Sequence, residues 1–144
     1  MRSSESKKRI LVLDKNTRLS KVVNEITPDS NFDIYTFYDS HGLFEQAKTV
    51  RPDLILLDCI LPDRDCEMIC QDLKEDDLLK NIPIVVITTS NSKKQMSNSF
   101  KCDALFVKPN DMSATASQIF FRDIKNYFAY LIMKMGNPYA YASA

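Results

Sequence analysis

Polar groups that can do chemistry recur in this chain directly after apolar runs. RILVLD (residues 9–14) ends in Asp14 and is followed by Lys15. DLILLD (53–58) ends in Asp58, IPIVVITT (82–89) ends in Thr88-Thr89 before Ser90, and ALFVK (104–108) ends in Lys108 before Pro109. A lone aspartate after a strand is ordinarily a turn or cap residue. Gathered at one rim, two carboxylates, two ammonium groups and several hydroxyls are a different matter. A carboxylate nucleophile beside an ammonium and a hydroxyl can accept a phosphoryl group and hold the resulting dianion. A divalent cation would bridge such carboxylates and the phosphate, because clustered anions need neutralising before another anion approaches.

The flanking pattern predicts the elements that would position these groups. Strands are predicted at 9–14, 32–37 (FDIYTF), 53–58, 82–89 and 104–108 from β-branched, aromatic and apolar runs. Thr17 is expected to cap a helix with Leu19, Val22, Val23 and Ile26 on one face, closed by Pro28. Ser40 is expected to cap a second, carrying Leu43, Phe44, Ala47 and Val50. A third carries Cys66, Ile69, Cys70 and Leu73. Residues 90–101, rich in Ser and Asn, predict a marginal fourth helix. A last helix is expected from Met112 to Met135, ended by Gly136. Strand and helix alternate five times and the middle strands are apolar throughout. The fold class is therefore α/β, a doubly wound parallel sheet with helices on both faces. In such sheets ligands bind beyond the carboxyl ends of the strands, where the polar residues above collect.

Composition narrows the function classes. Lys+Arg and Asp+Glu are 19 each, so the net charge is zero. Binding nucleic acid or a membrane surface through bulk charge is not expected. No apolar run approaches the roughly 18 residues that span a bilayer. Neither an export signal nor a C-x-x-C pair is present, so free thiols at Cys59, Cys66, Cys70 and Cys102 and a cytoplasmic location are expected. The expected organisation is a disordered segment at 1–8, one domain at 9–135 and a tail at 136–144.

Over about residues 8–123 the chain resembles the receiver domain of two-component response regulators. The resemblance rests on Asp14, on Asp58 with Pro62 and Asp65 four and seven residues further on, on Thr88 thirty residues after Asp58, and on Lys108-Pro109. It implies a five-stranded sheet in the order 2-1-3-4-5 flanked by five helices. It implies Asp58 as phosphoacceptor, Thr88 and Lys108 as switch and phosphate-binding residues, and a cis Lys108–Pro109 bond. It implies an Mg²⁺ site of Asp14, Asp58 and the Ile60 backbone carbonyl. The implied partners are a sensor histidine kinase or phosphotransfer protein upstream, and a downstream protein or a second copy of the chain through the last helix. A switching module, not an enzyme, is expected.

Several residues depart from the family pattern. Lys15 stands where a second acid is usual. Three carboxylates and one lysine carry about −2, which calls for a divalent ion. With Lys15 turned inward, two carboxylates and two lysines sum to about zero, and Mg²⁺ binding is then weak or absent. With Lys15 in solvent the site is ordinary. Leu105 occupies the switch-aromatic position, with Phe106 one residue on and so on the opposite face. Thr89 stands where a very small residue is usual, narrowing access, and Cys66 stands where Gly is common.

Two rival readings follow. A pseudo-receiver uses the same fold for protein interaction without phosphorylation, which Lys15 and Leu105 favour. Asp14-Lys15-Asn16-Thr17 also faintly resembles the start of haloacid-dehalogenase-type phosphatases, but Asn16 replaces the second acid and Asp58 is left without a role. Along the last helix, Ile119/Phe120, Ile124, Tyr127/Phe128 and Leu131 are expected to face the core, and Phe121, Ile132 and Met135 to lie off it as a partner surface. The central expectation is spatial: residues 58, 88 and 108 should meet in one shallow pocket at the sheet rim.

Overall fold

A computed structural model describes residues 8–14, 32–38, 42–59, 64–89, 101–108 and 113–136, without the side chains at 64–66, 89, 114, 117, 132, 135 and 136. The described chain forms strands β1 (Lys8–Leu13), β2 (Phe32–Phe37), β3 (Leu54–Cys59), β4 (Ile84–Thr89) and β5 (Ala104–Lys108). Helices α1 (Leu43–Val50), α2 (Arg64–Glu75) and α3 (Ala114–Gly136) complete it. All strand pairs are parallel and the order is β2-β1-β3-β4-β5. This is the doubly wound sheet expected from the alternation. The helices expected at 17–27 and 90–101 and the Thr17 cap lie outside the described residues.

Position in the sheet explains burial. β3 is central between β1 and β4, and all six of its residues are buried. β2 and β5 form the two edges, and each is half-buried throughout. Alternation along the strands splits the core into two layers. On one face Leu11, Leu13, Ile55, Leu57 and Val86 pack with Leu43, Ala47 and Val50 of α1 and Ile69, Cys70 and Leu73 of α2. On the other, Ile10, Val12, Leu54, Leu56, Val85 and Ile87 pack with Phe120, Ile124 and Phe128 of α3.

Element ends differ from the sequence reading in places. β1 and β3 each lie one residue from the expected spans, and β4 begins at Ile84 rather than 82. α1 starts after Gly42, not under a Ser40 cap. Gly42 holds the N-cap position at φ 75° with no side-chain cap hydrogen bond, a left-handed conformation that glycine adopts without a Cβ penalty. α3 runs through Gly136 instead of stopping at Met135. Its core stripe is Phe120, Ile124 and Phe128, with Tyr127 and Leu131 partly buried. Among the described side chains of α3, Ile119 and Met133 are the exposed large apolar ones, 44% and 51% accessible, while those of Ile132 and Met135 lie outside the described residues. Phe121, expected off the stripe, instead packs against the α3 layer.

Candidate functional site

The strand register assembles the rim. Leu13 pairs with Leu57, so Asp14 and Asp58 stand one step further along adjacent strands. The Asp14 N–H donates to Phe37 O at 2.8 Å, extending the β1–β2 ladder and fixing the backbone at the acid. Asp58 pairs with Ile87 and Cys59 with Thr88 across β3–β4, and Thr89 pairs with Lys108 across β4–β5. The polar ends of four strands thus lie side by side at the carboxyl edge. Strict alternation gives Asp14, Asp58 and Lys108 the sense of Val12, Leu56 and Phe106. Thr88 takes the sense of Val86 and Cys59. By alternation Thr88 and Asp58 therefore take opposite senses at the end of the sheet.

Three of the rim side chains are buried. Asp14 and Thr88 are 0% exposed and Asp58 is 2% exposed. Oδ1 of Asp14, Oδ1 of Asp58 and Oγ1 of Thr88 are buried and make no hydrogen bond. Asp14, Asp58 and Lys108 each interact with neighbouring groups. Lys108 is half-buried, as its edge strand requires. Burying carboxylates is costly and is ordinarily relieved by hydrogen bonds, a cation or a proton. Two carboxylates at facing strand ends fit a hard divalent ion, since Mg²⁺ is typically held by one or two carboxylates with other oxygens completing its shell. No larger cluster of metal-binding side chains occurs among the described residues. Ile60, Lys15 and Pro109 lie outside those residues, as do the side chains of Thr89, Asp65 and Cys66.

The neighbouring residues bear out the alternation argument. Leu105 packs on the α1–α2 layer and Phe106 on the α3 layer. The Phe106 ring meets Tyr127 edge-on with centroids 5.5 Å apart. The aromatic of β5 is thus committed to α3, and an aliphatic side chain occupies the position three residues before Lys108.

Cysteine chemistry is where the sequence reading needs correction. Cys70 and Cys102 are free, but Cys59 is disulfide-bonded, not a free thiol. Burial pushes the Cys70 thiol from 9.0 to about 12, with the nearby Cys102 adding to the rise. Burial, then Asp103, also raises Cys102. Both are inert thiols, as expected for structural cysteines. Cys59 had no motif to mark it beyond its place next to Asp58. Asp103, also unremarked in the sequence, anchors the opposite end of the sheet through Ile84 and Lys74.

The response regulator receiver domain model matches residues 10–119 of this chain. The chain belongs to the response regulator receiver family. The response regulator Rcp1 of Synechocystis is 30% identical over 109 residues, 68% of this chain and 73% of that protein. The alkaline phosphatase synthesis transcriptional regulator PhoP of Bacillus subtilis is 30% identical over 86 residues. That match spans 60% of this chain but only 35% of PhoP. The crystal structure of the phosphorylated cyanobacterial phytochrome response regulator RcpA aligns with a TM-score of 0.66 at 28% identity, covering 88% of this chain and 95% of that one. A Mn²⁺-bound structure of Rcp1 aligns at 0.57 and 25% identity, covering 83% and 90%. No described helix of the receiver is long and apolar enough to cross a membrane.

Proposed function

We propose that this receiver accepts a phosphoryl group on Asp58 from a sensor histidine kinase or phosphotransfer protein, and that the modified domain switches protein interactions. The observation that carries this reading is the alignment of Asp14, Asp58, Thr88 and Lys108 at one sheet edge by continuous parallel register. A carboxylate oxygen of Asp58 forms the new bond to phosphorus, and the bond to the donor breaks. The Lys108 ammonium offsets the added charge, and the Thr88 hydroxyl donates to a phosphoryl oxygen. Because Asp58 is 2% exposed, transfer requires its surroundings to open.

Asp14 and Asp58 would hold a divalent cation, with the Ile60 carbonyl as a further ligand. The ion supplies neutralisation of the incoming phosphate. RcpA was crystallised phosphorylated and Rcp1 with Mn²⁺, which supports both parts of the reading. The domain acts as a switch and not as an enzyme. Its output passes to a downstream protein or a second copy of the chain through α3, in the cytoplasm. The phosphorylation-independent reading gains no support, since Lys15, its main carrier, lies outside the described residues.

Addition of beryllofluoride with Mg²⁺, followed in amide spectra, tests the assignment. Shifts concentrated at Asp58, Thr88 and Lys108 are expected. Spectra unchanged at saturating reagent would refute it.

A further inference from the structure

Tyr38 follows β2 directly at the carboxyl rim and is 64% exposed, the most open large apolar or aromatic side chain among the described residues. The others lie elsewhere: Met68 and Ile119 within helices, Met133 near the carboxyl end of α3, Leu78 beyond the carboxyl end of α2. We propose that Tyr38 anchors the phosphodonor protein: its ring docks on an apolar or cationic patch beside the donor's phosphohistidine and holds that protein over Asp58. The proposal rests on the reading of Asp58 as phosphoacceptor and names a contact that its protein donor uses.

Register gives Tyr38 this place. Leu13 pairs with Phe37 on one side and Leu57 on the other, and the Asp14 N–H continues the β1–β2 ladder onto Phe37 O. One step further, Tyr38, Asp14 and Asp58 stand in a row across β2, β1 and β3. Alternation gives all three the same sense, that of Thr36, Val12 and Leu56. Two strand spacings separate the ends of the row, about 10 Å between Cα positions. The row thus runs from an open aromatic ring to a carboxylate that is 2% exposed.

The occupant follows from what transfer needs. A specific protein contact covers about 800 Å² on each partner, a patch roughly 30 Å across, so a donor centred on Asp58 also covers Tyr38. Tyrosine suits the role because it offers a rigid apolar body with a polar tip, the profile of an interface anchor. Transfer waits for the surroundings of the buried Asp58 to open. A donor held at Tyr38 is in place when the carboxylate becomes reachable, whereas a free one must arrive at that moment. An oxygen of Asp58 then bonds to phosphorus, the N–P bond of the phosphohistidine breaks, and the imidazole nitrogen keeps the electron pair. Acetyl phosphate is too small to span from Asp58 to Tyr38 and makes no use of the anchor.

The test uses the full chain with the autophosphorylated histidine kinases and phosphotransfer proteins of its own genome, the fastest of them serving as the probe. Transfer from that protein and from acetyl phosphate with Mg²⁺ is followed by intact mass for wild type, Tyr38→Ala and Tyr38→Phe. The ratio of kcat/KM for the protein donor to the rate with acetyl phosphate should fall about tenfold in Tyr38→Ala, mainly through KM. Tyr38→Phe keeps the ring and should stay within about threefold of the wild-type ratio. An unchanged ratio in Tyr38→Ala would overturn the proposal while leaving Asp58 as phosphoacceptor. An equal loss with both donors would also overturn it, since Tyr38 would then act on the pocket and not on the donor. Modification by acetyl phosphate but by no protein donor overturns it as well. If neither kind of donor modifies wild type, the reading of Asp58 fails and this proposal fails with it.

Discussion

Lys74 Nζ lies 2.7 Å from Asp103 Oδ2, and the same oxygen accepts the Ile84 N–H at 2.7 Å. One carboxylate thereby ties α2 to the amino ends of β4 and β5, the edge remote from Asp58. Lys74 also donates to Ile82 O at 3.2 Å, so the ammonium closes the turn that leads from α2 into β4.

Removing that carboxylate should lower stability without touching the rim. Asp103→Ala leaves the Ile84 N–H and the Lys74 ammonium without their shared acceptor. A loss of about 1–3 kcal/mol is expected. Urea unfolding measures it, and phosphorylation of the folded variant should match wild type. A loss below about 0.5 kcal/mol would show that the pair is merely a surface contact.

α3 should be integral to the domain through its buried stripe. Phe128 is fully buried in the α3 layer, and Phe128→Ala is expected to cost about 3–5 kcal/mol. Met133, five residues on, is half exposed, and Met133→Ala should stay within about 0.5 kcal/mol. Chemical denaturation of the two variants side by side checks the contrast. Similar losses for both would contradict the assignment of the stripe. A truncation at Lys125 would remove Phe128 and with it part of the core, so the reach of α3 is better probed by substitution.

The fold was legible in the sequence because its signals are local. Continuous apolar runs at 10–13, 54–57 and 84–87 belong to strands buried on both faces. The mixed polarity of FDIYTF belongs to an edge. Alternation alone separated Leu105 from Phe106, and the two core layers agree. The strand-end residues Asp14, Asp58, Thr88 and Lys108 were likewise legible, since parallel register follows from strand order. What escaped was through-space. The depth at which Asp58 sits and the oxidation of Cys59 both depend on groups brought near by the fold and not on neighbours in the chain. The Gly42 start of α1 escaped because Ser40 offered the stronger cap signal, while the left-handed turn at Gly42 needs no side chain.

Alkaline pH should destabilise the chain through Cys70. Its thiol is held up to about 12 when folded, against 9.0 ordinarily. The unfolded chain therefore loses this proton first as pH rises, and binds fewer protons than the folded one between those values. Stability is fully present below about pH 9 and is lost progressively toward about pH 12. The urea midpoint of wild type should fall between about pH 8 and about pH 10.5 by more than that of Cys70→Ala. Equal slopes for the two proteins would contradict the burial argument.

Lys15 sets the cation affinity of the rim if its charge acts there. Replacing it by a third carboxylate, Lys15→Asp, should tighten Mg²⁺ binding by about tenfold or more. Calorimetric titration of both proteins at one ionic strength measures this. The same affinity in wild type and variant would place the Lys15 ammonium in solvent and remove its role as a partial substitute for the metal.

The most direct measurement is the site of the phosphoryl group itself. The reduced chain is treated with acetyl phosphate and Mg²⁺, trapped, digested and mapped by tandem mass spectrometry, alongside Asp58→Asn. The account predicts one phosphoryl group on wild type, located at Asp58, and none on the variant. A wild-type chain that stays unmodified under reducing conditions, or a phosphoryl group that persists in Asp58→Asn, would contradict it.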